Sequence, residues 1–155
     1  MRIVPDASVA AKWLLPEEGS TEADVLLEGA VAGRITFVVP ELWYAELGNV
    51  LWNRARLSTQ DAITGAQAAS CIEHVAQLHV RSIGHAELIV AALAIALKVG
   101  VTVYDALYVA AAIHADARFV TADRAMVRKL AGSRWADRVA TMTAAEGEEW
   151  RVEKA

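Results

Sequence analysis

The sequence predicts an α/β domain built on a parallel β-sheet with helices on both faces. Short apolar runs rich in β-branched residues alternate with segments of helical period. No two-residue hairpin turn joins any pair of those runs, so the strands connect through helices and run parallel. The 155 residues, 55% of them hydrophobic, suffice for one sizeable core but not comfortably for two domains.

Taken in order, Arg2-Ile3-Val4 is the first strand, ending at Pro5-Asp6. Residues 9–15 have helical character and stop before Pro16, since the residue preceding a proline avoids helical geometry. Residues 21–32 place Ala23, Leu26, Leu27, Ala30 and Val31 at helical spacing, with Gly33 as terminator. Ile35-Thr36-Phe37-Val38-Val39 is a second strand. Pro40, whose φ suits a first helical turn, is expected to begin a helix over residues 41–56. Ser58-Thr59-Gln60-Asp61 has the form of a capping box and is expected to start a helix over residues 58–76. A short strand at 78–83 and a helix at 86–99, ended by Gly100, follow. Thr102-Val103-Tyr104-Asp105 begins a helix running through Ala112; residues 118–121 are a strand, 124–130 a short helix and 139–142 a last strand. The domain is expected to occupy 1–143, leaving 144–155, with Glu146, Glu148, Glu149 and Glu153, as an acidic tail.

Only 3 Pro and 9 Gly are present, no stretch looks like a linker, and no repeat recurs at a fixed period. The single cysteine, Cys71, cannot form an internal disulfide, which fits a reducing compartment. The first residues lack a signal peptide's apolar stretch and cleavage site. The apolar run at 88–97, bounded by Glu87 and Lys98, is about half the ~20 residues a membrane helix needs, and is expected to be a buried helix of a cytoplasmic protein. The net charge of −4 is opposite in sign to that of a typical nucleic-acid binder. Acids gathered around bound cations would still present a positive centre to phosphate.

In open parallel sheets, ligands bind outside the carboxyl ends of the strands. Asp6 follows the first strand and Asp123 follows the strand at 118–121, so both belong to that edge. Each also stands where a helix cap is common. Asp105, three residues after Thr102, fits the acidic half of a capping box; equally, an acid on that first turn can point into the crevice. Along 41–56, Trp43, Leu47, Val50 and Leu51 form an apolar stripe, with Leu42, Glu46, Asn49 and Asn53 beside it. That border position suits either a half-buried carboxylate near the crevice or a solvated edge. Carboxylates brought together repel one another and lose hydration, and a divalent cation relieves both costs. Hard oxygen donors of this kind suit Mg²⁺ or Mn²⁺. His74, His79, His85 and His114 show no zinc-ligand spacing. Lys12, Arg54, Arg56, Arg124, Arg128 and Lys129 are the cations nearest these acids in sequence. Trp43 is expected in the core, while Trp13 and Trp52 suit either core or surface.

Four segments together resemble the PIN-domain ribonucleases, specifically the VapC-type toxins of bacterial and archaeal toxin–antitoxin pairs. They are Val4-Pro5-Asp6-Ala7-Ser8, Pro40-Glu41-Leu42-Trp43-Tyr44-Ala45-Glu46-Leu47, Thr102-Val103-Tyr104-Asp105-Ala106-Leu107-Tyr108-Val109-Ala110, and Phe119-Val120-Thr121-Ala122-Asp123. Each is weak alone; four in order, each on the expected element, make a specific match over nearly the whole chain. The resemblance implies a PIN-like single domain with an acidic pocket holding one or two Mg²⁺ or Mn²⁺ ions. It implies Asp6, Glu46, Asp105 and Asp123 as metal-binding and catalytic acids, with Ser8 and Thr121 as supporting hydroxyls. It further implies an RNA substrate, a VapB-like antitoxin covering the groove, and a homodimer.

Two other readings compete. A receiver-type phosphoacceptor domain is also a parallel α/β protein with an acidic Mg²⁺ pocket. It needs paired acids after the first strand and a late lysine, whereas Pro5-Asp6 supplies one acid and no lysine follows a late strand. A non-catalytic PIN-like binding module would not require all four acids.

Overall fold

The computed structural model describes residues 1–59 and 61–142. Five strands, β1 (Arg2–Pro5), β2 (Thr36–Pro40), β3 (Val80–Ile83), β4 (Arg118–Thr121) and β5 (Val139–Thr141), form one sheet in the order β3-β2-β1-β4-β5. Every pairing is parallel. The connecting helices are α1 (Ala7–Leu14), α2 (Ser20–Val31), α3 (Leu42–Ala55), α4 (Gly65–Ala76), α5 (His85–Val99), α6 (Val103–His114) and α7 (Arg124–Leu130). A single 3₁₀ turn, Ala136–Arg138, precedes β5. The tail expected at 144–155 lies outside the described residues.

Strand side chains alternate between two cores, because successive residues point to opposite faces. Val4 and Phe119 join the core formed with Trp43, Leu47, Leu88, Ile95 and Leu107. Ile3, Phe37 and Val120 join the core formed with Val9, Ala23 and Leu26. Gly29 lets α2 lie against the sheet: a Cβ there would stand 2.6 Å from Ile35 Cδ1. Its carbonyl accepts from Arg34 and Ile35 N–H, fixing the entry into β2. Gly100, in the left-handed region at φ 76°, closes α5 as expected.

Three expectations need correction. Pro40 closes β2 instead of starting a helix; it pairs with Ile83 in the register, and α3 begins at Leu42. Its missing N–H is tolerated at that strand end. The helix expected from Ser58 begins at Gly65, and of the supposed capping box Gln60 lies outside the described residues. The working capping box is Thr64–Gln67, with Gln67 N–H donating to Thr64 Oγ1 at 3.1 Å and Thr64 N–H to Gln67 Oε1 at 2.8 Å. Finally, the apolar run in α5 is buried on one face only. Leu88, Ala92 and Ile95 are buried, whereas Val90 and Leu97 are each 79% exposed. Among the described residues no single helix is long and apolar enough to cross a membrane.

Candidate active site

β1 delivers Asp6 to the carboxyl edge at the centre of the sheet, and its neighbour β4 delivers Asp123 to the same edge. From β1 the chain moves outward to β2 and β3, then returns to β4 on the other side of β1. A crevice is expected where strand order reverses in this way. α3 departs from β2 carrying Glu46, and α6 leads into β4 carrying Asp105.

Asp6 caps α1, its Oδ1 accepting from Ser8 N–H at 3.2 Å. Its Oδ2 accepts from the hydroxyl of Thr121, a fully buried side chain. Thr121 Oγ1 also accepts from Asp123 N–H at 3.0 Å, and Ser8 Oγ accepts from Ala122 N–H at 3.3 Å. The two hydroxyls thus lace the start of α1 to the segment after β4. Asp123 is exposed and caps α7, its Oδ1 accepting from Ala125 and Met126 N–H at 2.7 and 3.1 Å. Capping is therefore real for both acids.

Glu46 is half-buried, and its Oε2 accepts from the Tyr108 hydroxyl. Burial pushes the Glu46 carboxyl above the usual range; the Tyr108 hydrogen bond lowers it, while the charges of Asp6 and Asp105 raise it. Burial likewise raises Asp6, with hydrogen bonds from Thr121 and Ser8 lowering it and Asp105 adding to the rise. Burial is also the main reason that the Tyr108 phenol is pushed far up and stays a donor. Asp105 combines both readings open to it. Its N–H donates to Thr102 Oγ1 at 3.1 Å and its Oδ2 accepts from Thr102 N–H at 3.4 Å, while its charge reaches both Asp6 and Glu46.

Asp6, Glu46 and Asp105 therefore share one electrostatic neighbourhood, with Asp123 joined through Thr121. Lys12 and Arg54, two of the cations nearest these acids in sequence, both pair with Glu17 at 2.8 Å. Like charges left together in partial burial suit a hard divalent cation. Among the described residues, no three His, Cys, Asp or Glu side chains stand close enough to enclose a metal by themselves. The fit is thus to a cation held by one or two carboxylates and completed by water, the habit of Mg²⁺. All four histidines are exposed. A cavity of about 860 Å³ lies at the opposite edge of the sheet, lined by Arg2, Asp116, Arg118 and Arg138, and contains none of these acids.

The PIN domain family profile matches residues 3–132, most of the chain. This chain is a PIN domain. It is 36% identical to Ribonuclease VapC3 of Pyrobaculum aerophilum over 133 residues, covering 83% of this chain and 95% of that protein. Its fold also matches the crystal structure of PAE2754 from Pyrobaculum aerophilum, with a TM-score of 0.66 at 21% identity, covering 97% of this chain and 89% of the other. Family membership removes the receiver-domain reading. Sequence reasoning gave no role in this PIN domain to Tyr108, three residues after Asp105 and so on the same face of α6. Its position inside the third family-like segment was the available signal.

Proposed function

We propose that this PIN domain is a Mg²⁺- or Mn²⁺-dependent endoribonuclease, the toxin of a VapBC-type toxin–antitoxin pair. The observation that carries the reading is the grouping of Asp6, Glu46 and Asp105, from three separate elements, at the carboxyl edge of the sheet. Likeness to a protein named a ribonuclease supports it. Asp6 and Asp105 would hold the metal most firmly, with Glu46 and Asp123 completing the site directly or through water. Such an ion, one or two per site, neutralises phosphate charge and lowers the pKa of water for hydrolysis of a phosphodiester. The chain's own contribution is positional. Thr121 and Ser8 fix Asp6 and the Asp123 segment, and Tyr108 aims Glu46. Labelled cellular RNA incubated with the protein should be cut with Mg²⁺ or Mn²⁺ present and left whole without them; cleavage sites can then be mapped against an Asp6→Asn control. Intact RNA under all conditions would leave a binding module.

Tyr108→Phe is expected to lower kcat/KM about tenfold, since a hydrogen bond to a charged group is worth roughly 1.5–3 kcal/mol. The fold should persist, because the ring keeps its stacking on Phe119 at 5.5 Å. Steady-state kinetics decide: a rate within twofold of the parent would mean that Glu46 needs no such support.

Homodimerisation is part of this reading. On α5, Val90, Leu93 and Leu97 leave a row of large apolar side chains in water, the kind of surface a partner covers. Leu97→Glu should convert a dimer to a monomer in sedimentation; an unchanged dimer would place the interface elsewhere. An apolar groove supports an antitoxin partner. A cavity of about 200 Å³ between α1, α2 and α4 shares Leu27 and Leu78 with one of about 490 Å³ between α2, the start of β2 and residues 77–79. We place the protein in the cytoplasm, where Cys71 would remain a thiol.

A further inference from the structure

α3 carries a second feature beyond Glu46. Glu46, Asn49 and Trp52 follow one another at i, i+3 and i+6, one of the natural rows of side chains on a helix surface. Asn53 and Arg56 stand one turn on from Asn49 and Trp52. Asn49, Trp52, Asn53 and Arg56 are all exposed. Trp52 keeps 52% of its surface in water, while its companions on this helix, Trp43, Leu47 and Leu51, are buried. The Arg56 guanidinium carbon lies 4.4 Å from the Trp52 ring centroid. Arg54, in the same last turn, is drawn away to Glu17. Arg56 is thus the cation left on this ridge, held over an aromatic face.

We infer that the row from Asn49 to Trp52 and Arg56 is a landing strip for single-stranded RNA, with Trp52 stacking one base, Arg56 meeting the backbone and Asn49 and Asn53 reaching base edges. This inference rests on the ribonuclease reading and adds where the strand lies. Its occupant follows from chemistry. Exposed tryptophan with a stacked guanidinium matches how unpaired bases are held, and side-chain amides offer both donors and acceptors to their edges. A chain of net charge −4 also needs a local cation beside its acids to receive a polyanion. The distances suit the task. At about 1.5 Å per residue, Trp52 lies ~9 Å along the helix from Glu46. That spans two to three stacked nucleotides at ~3.4 Å each from a phosphate at the acids.

The test uses the full chain carrying Asp105→Asn, so that RNA is bound without being cut. Fluorescein-labelled 12-nucleotide oligo(U) and oligo(A), and a 12-base-pair RNA duplex, are titrated by anisotropy. Single strands should bind more tightly than the duplex. Trp52→Leu should weaken single-strand binding about tenfold, Trp52→Phe should restore most of it, and Arg56→Gln should flatten the salt dependence. In the active chain, Trp52→Leu should raise KM with kcat little changed. Equal affinity for Trp52→Leu and its parent, or a change in sedimentation with RNA affinity unaltered, would overturn the inference while cleavage by the intact chain upheld the nuclease reading. An intact chain that neither binds nor cuts RNA would sink both.

Discussion

Asp105→Asn should reduce RNA cleavage by about a thousandfold or more with the fold intact. A metal's contribution to phosphodiester hydrolysis amounts to several kcal/mol, and each 1.4 kcal/mol is a factor of ten. The substitution removes a charge and little else. An asparagine oxygen can still accept from Thr102 N–H, so the box that starts α6 survives. Asp6→Asn should be equally inactive, and for a different structural reason should not destabilise the protein. Asn still caps α1 through Ser8 N–H. It also relieves a carboxylate whose ionised form is disfavoured by burial and by Asp105. Cleavage rates and circular-dichroism melts of both variants check this. Substantial activity in either would remove that acid from the site; an unfolded Asp6→Asn would make its role architectural.

Chelation is expected to have the other large effect. Excess EDTA should abolish cleavage, with Mn²⁺ restoring it. At a hundred times its Kd, a ligand of the folded state alone adds about 2.7 kcal/mol of stability. For a chain of this size that is a rise in Tm of about 5–10 °C. Stability should also depend on pH in a defined direction. Asp6 and Glu46 have raised pKa values in the fold, so the folded chain holds their protons more tightly than the unfolded chain does. Their contribution to metal-free stability is therefore largest in acid and declines as pH rises through the folded values. Ionised ligands are needed for the metal, so the Mn²⁺-induced shift should grow over the same interval. Comparison with Asp6→Asn isolates the effect: the parent's Tm, measured without metal, should fall relative to the variant's as pH rises above the usual carboxylate range. A parent that gained on the variant with rising pH would refute the raised Asp6 pKa, and full activity in EDTA would refute the metal site.

Most of the fold was legible locally. Ile3-Val4, Phe37-Val38-Val39 and Phe119-Val120 announce strands through β-branched and aromatic residues. Gly33 and Gly100 end their helices at left-handed φ, as their place in the pattern predicts. Local signals also misled where two rules competed. Pro40 satisfies both a strand end and a helix start, and pairing with β3 decided for the strand. Ser58 imitates a cap, yet Thr64 makes the bonds. The α5 run reads as continuously apolar, but it packs chiefly on α6 and only one of its faces is buried.

The sequence by itself determined the order of strands and helices, the sheet edge on which Asp6 and Asp123 sit, and the family-like segments that hold the acids. Only the tertiary structure decided which side chains meet: Thr121 with Asp6 across 115 residues, Tyr108 with Glu46 across 62, and Glu17 with Arg54 across 37. The reason is physical. Caps, turns and periodicity act within a few residues and are written in neighbouring letters, whereas a contact between distant residues exists only after the sheet has closed and fixed the separation of its strands.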